Sequence, residues 1–82
     1  MAKSITVFTK NNCPYCKLLE QTLDMKGASY KVVNIDEDSA ALAEVHAATG
    51  RAITPTTLIV SEDGTKDYVV GYNLSRIFPA LV

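Results

Sequence analysis

Two cysteines stand two residues apart in Cys13-Pro14-Tyr15-Cys16, and no other cysteine occurs in the chain. Residues three apart on a helix are neighbours, so two thiols at this spacing can reach one another if the segment is helical. A thiol at a helix N-terminus meets unpaired backbone N–H groups and the positive end of the helix dipole, and both stabilise the thiolate. Lys10 and Lys17 add positive charge on either side. Such settings lower a thiol pKa from about 8.5 to between roughly 3.5 and 7.5. Each unit is worth about 1.4 kcal/mol in favour of the anion. Cys13 is therefore expected to attack a substrate disulfide as thiolate. Cys16, one turn further in and more buried, is expected to attack the mixed disulfide and release the reduced product. Pro14 stiffens the backbone between them, which limits the entropy lost on ring closure. Two other uses of the pair stay open. A structural disulfide is one, although so small a loop stabilises little. Half of a zinc site is the other, with His46 as the remaining candidate ligand.

The surrounding sequence has to supply a strand before the pair and a helix after it. Ser4 to Thr9 is β-branched and aromatic-rich, bounded by Lys3 and by Lys10-Asn11-Asn12, and reads as a strand. Ile5 and Val7 share one face and Phe8 takes the other, the pattern of a strand covered on both sides. Asn11-Asn12 is a turn signal. Cys13 to Lys26 then has helical spacing, with Leu19 and Leu23 one turn apart and Leu18, Thr22 and Met25 flanking. Pro14 sits where a missing N–H does no harm, and Gly27 is a helix stop.

A second strand follows over Ser29 to Ile35. Asp36-Glu37-Asp38-Ser39 reads as an acidic helix start, leading into a helix over Ala40 to Thr49 with Leu42 and Val45 on its apolar face. Gly50 stops it. Thr57 to Val60 and Asp67 to Val70 read as strands joined by an Asp63-Gly64 hairpin turn. Gly71 ends the last strand, and Asn73 is placed to cap a final helix from Leu74. Pro79 falls inside that helix, at a cost of ~3 kcal/mol in a helix interior, so the helix should be short or kinked. The expectation is a four-stranded mixed sheet in β-α-β-α-β-β-α order with helices on both faces. Helical crossovers would be right-handed βαβ units, and the last strand pair antiparallel.

Composition bounds the function. The 82 residues carry 8 Lys+Arg against 9 Asp+Glu, a formal net charge of −1, which weighs against a broad nucleic-acid surface. Apolar runs are too short to span a bilayer, and no secretion signal opens the chain. Two cysteines are too few for a disulfide-stapled secreted scaffold. The expectation is one domain over residues 1–82, monomeric and cytoplasmic, with no membrane or nucleic-acid partner. A Cys-x-x-Cys between a strand and a helix in such a chain is a redox signal.

Cys-Pro-Tyr-Cys at the first strand–helix junction resembles the active site of glutaredoxins. Thr9-Lys10 precedes it as in that family, Val33-Asn34-Ile35-Asp36 resembles the family's second strand, and Gly50-Arg51-Ala52-Ile53-Thr54-Pro55 resembles the segment before its cis-proline. The tryptophan that precedes the motif in thioredoxins is missing. The resemblance implies a thioredoxin-like fold, the Cys13/Cys16 dithiol as catalytic pair, glutathione as co-substrate and no tightly bound cofactor or metal. It also implies a glutathione groove. Lys10 and Arg51 would face the glycine carboxylate and Tyr15 would line the groove. Thr54 would offer its backbone like an added strand, Pro55 would be cis, and Gly71, Tyr72 and Asn73 would meet the glutamyl end.

Glutaredoxins usually carry Gly-Gly and then an acidic residue at that end. This chain has Val70-Gly71-Tyr72-Asn73-Leu74-Ser75 instead. That stretch looks more like the glutaredoxin-like redoxins that take electrons from thioredoxin reductase and reduce ribonucleotide reductase. The resemblance thus leaves two electron donors and two target classes, disulfide-containing proteins at large or ribonucleotide reductase. A third reading is a module in which two copies and two glutathiones hold an iron–sulfur cluster, although Pro14 and Tyr15 crowd Cys13. Outside the motif, His46, Asp36 and Glu37 read as ordinary helix residues, and Tyr30 and Tyr68 as sheet packing.

Overall fold

Ser4–Thr9 forms β1 as its β-branched content dictates, and it becomes the strand around which the rest is built. The computed structural model describes residues 4–81, so Lys3, expected to bound this strand, lies outside the described residues. After β1 come α1 (Pro14–Met25), β2 (Lys31–Asn34), α2 (Ser39–Thr49), β3 (Thr56–Val60), β4 (Lys66–Val70) and α3 (Leu74–Ile77). A 3-10 turn, Phe78–Leu81, follows α3 at the end of the described residues. The sheet order is β2-β1-β3-β4. β1 runs parallel to β2 and antiparallel to β3, with Val7 opposite both Val32 and Thr57. β3 and β4 form the hairpin that Asp63-Gly64 announces.

Alternation along β1 splits the core in two, as expected. Val7 points toward α1 and α3, packing with Leu19, Leu23, Ile59, Val69 and Ile77. Phe8 points the other way, into a cluster with Ile35, Ala41, Val45 and Leu58. Helices thus cover both faces of a four-stranded mixed sheet. The architecture is the thioredoxin-like fold expected from the sequence.

Four expectations need correcting. Only the first crossover is a parallel βαβ unit; α2 joins β2 to a strand that runs the other way. β2 is shorter than expected because α1 ends in a reversing turn, Gly27 N–H bonding Asp24 O and Ala28 N–H bonding Leu23 O. Tyr30 leaves that turn packed against the α1 cluster, outside the ladder. On α2 the inward residues are Ala41 and Val45, one turn apart, whereas Leu42 is rotated outward and 39% exposed. Asn73 occupies the N-cap position of α3 but makes no cap bond, because its Oδ1 accepts the Ser75 hydroxyl at 2.9 Å.

The helix boundaries otherwise follow the sequence signals. Asp38 caps α2 by accepting from Ala41 N–H at 3.1 Å. Gly50 closes it at φ 80°, a left-handed conformation that favours glycine. Pro79 lacks the N–H a further α-turn needs, so α3 stops at Ile77 and the chain tightens into the 3-10 turn. Among the described residues no helix is long and apolar enough to cross a membrane.

Candidate active site

The turn after β1 ends at Asn12, a left-handed residue with φ 57°. Cys13 follows in extended conformation and is the N-cap of α1; Pro14 occupies the first helical turn. Cys13 and Cys16 form a disulfide with their Cα atoms 5.3 Å apart. Cys16 is 2% exposed, while Cys13 is half-buried. This is the unequal burial that the division into attacking and resolving thiols requires.

Two donors point at the Cys13 sulfur. Cys16 N–H donates to it at 3.2 Å, and the Thr54 hydroxyl donates at 3.5 Å. The first is one of the orphan N–H groups of the helix start. The second comes from a segment far along the chain. Once the disulfide opens, both favour negative charge on this sulfur, since hydrogen bonds to the charged form lower a pKa. The Thr54–Pro55 bond is cis, as the resemblance implied, and Pro55 is fully buried. Gly71 N–H donates to Pro55 O at 2.8 Å, so the Gly71 turn is tied directly to the loop that touches Cys13. Gly71 has φ 84°, where a side chain would be strained.

Beyond Gly71, the Tyr72 hydroxyl and Thr22 Oγ1 share a hydrogen bond of 3.0 Å. The Tyr72 ring lies 6.1 Å from that of Tyr15, tilted by 39°, and Tyr15 is 62% exposed. The structure therefore links Cys13, Cys16, Thr54, Pro55, Gly71, Tyr72 and Tyr15 through direct contacts. Lys10 is also beside Cys13, but on the β2 side. There it lines an open depression with Lys17, Glu20, Asn34 and Glu37. The two lysines are thus accompanied by two carboxylates. Arg51 is exposed, and its hydrogen bonds are those of its backbone with Thr49 Oγ1. Asn73 is turned to Ser75. Neither Arg51 nor Asn73 is hydrogen-bonded to the cysteine pair.

His46 is exposed on α2, which covers the opposite sheet face from α1. Among the described residues no group of three or more His, Cys, Asp and Glu could hold a metal ion. Two residues had roles the sequence reading missed. Asp36 precedes the true cap, Asp38, and so is no helix-start charge; its Oδ2 accepts Asn11 N–H at 2.9 Å. Thr22, read as a flank of the α1 stripe, holds the Tyr72 hydroxyl.

Comparison with known proteins places this geometry. The family described as Glutaredoxin matches residues 5–63. A glutaredoxin from Ricinus communis is 39% identical over 64 residues, covering 71% of this chain and 60% of that protein. Glutaredoxin 3 of Escherichia coli K12 is 32% identical over 56 residues, covering 68% of each. The crystal structure of the thioredoxin-like protein BC3987 superposes with a TM-score of 0.78 at 26% identity, covering 95% of this chain and 100% of that one.

Proposed function

The chain belongs to the glutaredoxin family, and on that premise we propose that it reduces disulfides through Cys13 and Cys16 with glutathione as electron donor. The observation that carries the reading is the Cys13 sulfur, half-buried and met by Cys16 N–H and the Thr54 hydroxyl. In the reduced protein the Cys13 thiolate attacks a substrate disulfide. A Cys13–substrate mixed disulfide forms and one substrate thiolate leaves. The Cys16 thiolate then attacks Cys13, releases the second substrate thiolate and regenerates the Cys13–Cys16 disulfide. Two electrons have passed to the substrate. Two glutathione thiols return them, one entering a mixed disulfide at Cys13 and the second leaving with the first as glutathione disulfide. Mixed disulfides of glutathione with proteins need only the first thiol. The expected setting is cytoplasmic, where such thiols stay reduced.

Tyr15 and Tyr72 offer an aromatic wall beside Cys13, Lys10 and Arg51 offer cations, and Thr54 leads into β3 as a docking edge. The glutamyl end is the weak part. Asn73 is occupied by Ser75, and Leu74 packs against the core cluster. That favours one rival, a redoxin reduced by thioredoxin reductase that serves ribonucleotide reductase. The test mixes oxidised protein with NADPH and either glutathione plus glutathione reductase, or thioredoxin reductase, and compares NADPH consumption. Faster turnover with glutathione supports the proposal, and turnover confined to thioredoxin reductase replaces it with the rival. In the glutathione assay Asn73→Asp should lower the glutathione KM severalfold. A charge-assisted bond at an exposed rim is worth up to about 1 kcal/mol.

A further inference from the structure

The turn that delivers Cys13 is stitched to the end of β2 by side chains. Asn11 N–H donates to Asp36 Oδ2 at 2.9 Å. The Asn34 amide donates to Asn11 Oδ1 at 3.0 Å, and Asp36 N–H donates to Asn34 Oδ1 at 2.8 Å. Ile35 N–H bonds Thr9 O at 2.8 Å, continuing the ladder to the edge of the turn. The fold makes other provision for its own elements here. β1 and β2 are already paired through Thr9 and Asn34, and α2 has its own cap in Asp38. The Asp36 carboxylate serves neither. It holds the backbone two residues before Cys13, next to the left-handed Asn12.

We infer that Asp36 is a positioning residue for the nucleophile, fixing the direction in which Cys13 leaves Asn12 so that its sulfur lies under both donors. The inference rests on the proposed role of Cys13. Charge alone argues the opposite sign, because a carboxylate near a thiolate disfavours it. The charged groups around the depression beside Cys13 are Lys10, Lys17, Glu20 and Glu37; Asp36 adds a further negative charge to that setting. Asp36 therefore raises thiolate reactivity through geometry or not at all.

The experiment follows iodoacetamide labelling of the reduced full-length protein from acid to alkaline pH. Peptide mass mapping separates Cys13 from Cys16. Asp36→Ala removes the anchor, and Asp36→Asn removes the charge but keeps an acceptor oxygen. A thiol pKa raised by one unit cuts the thiolate fraction about tenfold below the pKa. The remaining thiolate is more nucleophilic, with a Brønsted slope of about 0.4–0.5, so the net loss is roughly threefold. Asp36→Ala should label Cys13 about threefold more slowly at neutral pH and at least as fast as wild type at alkaline pH. Asp36→Asn should stay near wild type. Loss of fold would also return the thiol to an ordinary pKa, so the crossing counts only where circular dichroism and the urea midpoint show Asp36→Ala as folded as wild type; a crossing that comes with loss of the native signal overturns the inference. An Asp36→Ala rate unchanged at neutral pH overturns the inference. So do two variants that both label faster there, the result of charge removal alone. If wild type labels Cys16 before Cys13, the role of Cys13 itself fails, which the mass map reads separately.

Discussion

The two faces of the sheet are closed by unequal means. α1 presents Leu19 and Leu23, both fully buried, to Val7, Ile59, Val69 and Ile77. α2 presents only Ala41 and Val45 to Phe8, Ile35 and Leu58. Each helix is also tied by one tyrosine to one carboxylate. Tyr30 donates to Asp24 Oδ1 at 2.7 Å, and Tyr68 donates to Glu44 Oε2 at 2.7 Å. α1 has the Thr22–Tyr72 bond besides, and beyond these tethers the two faces differ in the aliphatic stripe. On α1 that stripe is Cys16, Leu19, Leu23, so the thiol proposed to resolve the mixed disulfide continues the row of two fully buried leucines. The helix that must hold a sulfur in place is seated on large side chains, and the helix without chemistry rests on small ones.

The strongest break in that comparison comes at the thiols. Cys13→Ser should abolish disulfide reduction. Cys16→Ser should stop dithiol turnover and leave removal of glutathione from mixed disulfides, measured with a glutathionylated peptide. Retained dithiol turnover in Cys16→Ser would deny the stripe its chemical end. Next come the helix seats. Leu23→Ala should cost about 2–5 kcal/mol in urea unfolding, transfer and cavity terms together. Val45→Ala deletes two methyl groups and should cost roughly 2 kcal/mol. Equal losses at the two positions would erase the asymmetry.

The smallest effects belong to the tethers, and there the two faces should behave alike. Tyr30→Phe and Tyr68→Phe should each cost about 1 kcal/mol. Burial, followed by the bond to Asp24, pushes the Tyr30 hydroxyl up to about 12. Burial and Glu44 do the same for Tyr68, also to about 12. Both groups are neutral below their unfolded pKa of about 10, so their contribution is complete there and is lost as pH rises through 12. The double Phe variant should therefore lose less stability than wild type between neutral and strongly alkaline pH, read from urea midpoints.

Most of the site's address was legible because it is written in local signals. A Pro after a thiol, glycines at helix ends and an Asp-Gly turn each dictate one backbone event, and each occurs where expected. Legibility failed where a residue's partner is distant in sequence. Leu42 is as apolar as a core residue, and only the angle at which α2 meets the sheet decides that Ala41 faces inward in its place. Asp36 resembles any acidic residue ahead of a helix until Asn11, from the other side of α1, is brought beside it. Tyr30 reads as strand because it is aromatic; the reversing turn after α1 sends it elsewhere. The proposed glutathione groove rests on resemblance, since Arg51 and Asn73 lie on loops whose side chains no periodicity constrains.

The placement of β1 between a near neighbour and a remote one has a kinetic side. β2 follows β1 after a single helix, but Ser4 pairs with Val60, a contact that spans most of the chain and carries the larger loop-closure cost. Thr54 immediately precedes β3 and travels with it. An opening that detaches the β3–β4 hairpin from β1 thus strips the Cys13 sulfur of the Thr54 hydroxyl while the Cys16 N–H stays with α1. Two populations of thiol should then coexist in the reduced ensemble, one poised and one half-attended, in proportions set by the free energy of that opening. Alkylation kinetics followed into denaturant would read the sub-global stability of the sheet from a single sulfur atom.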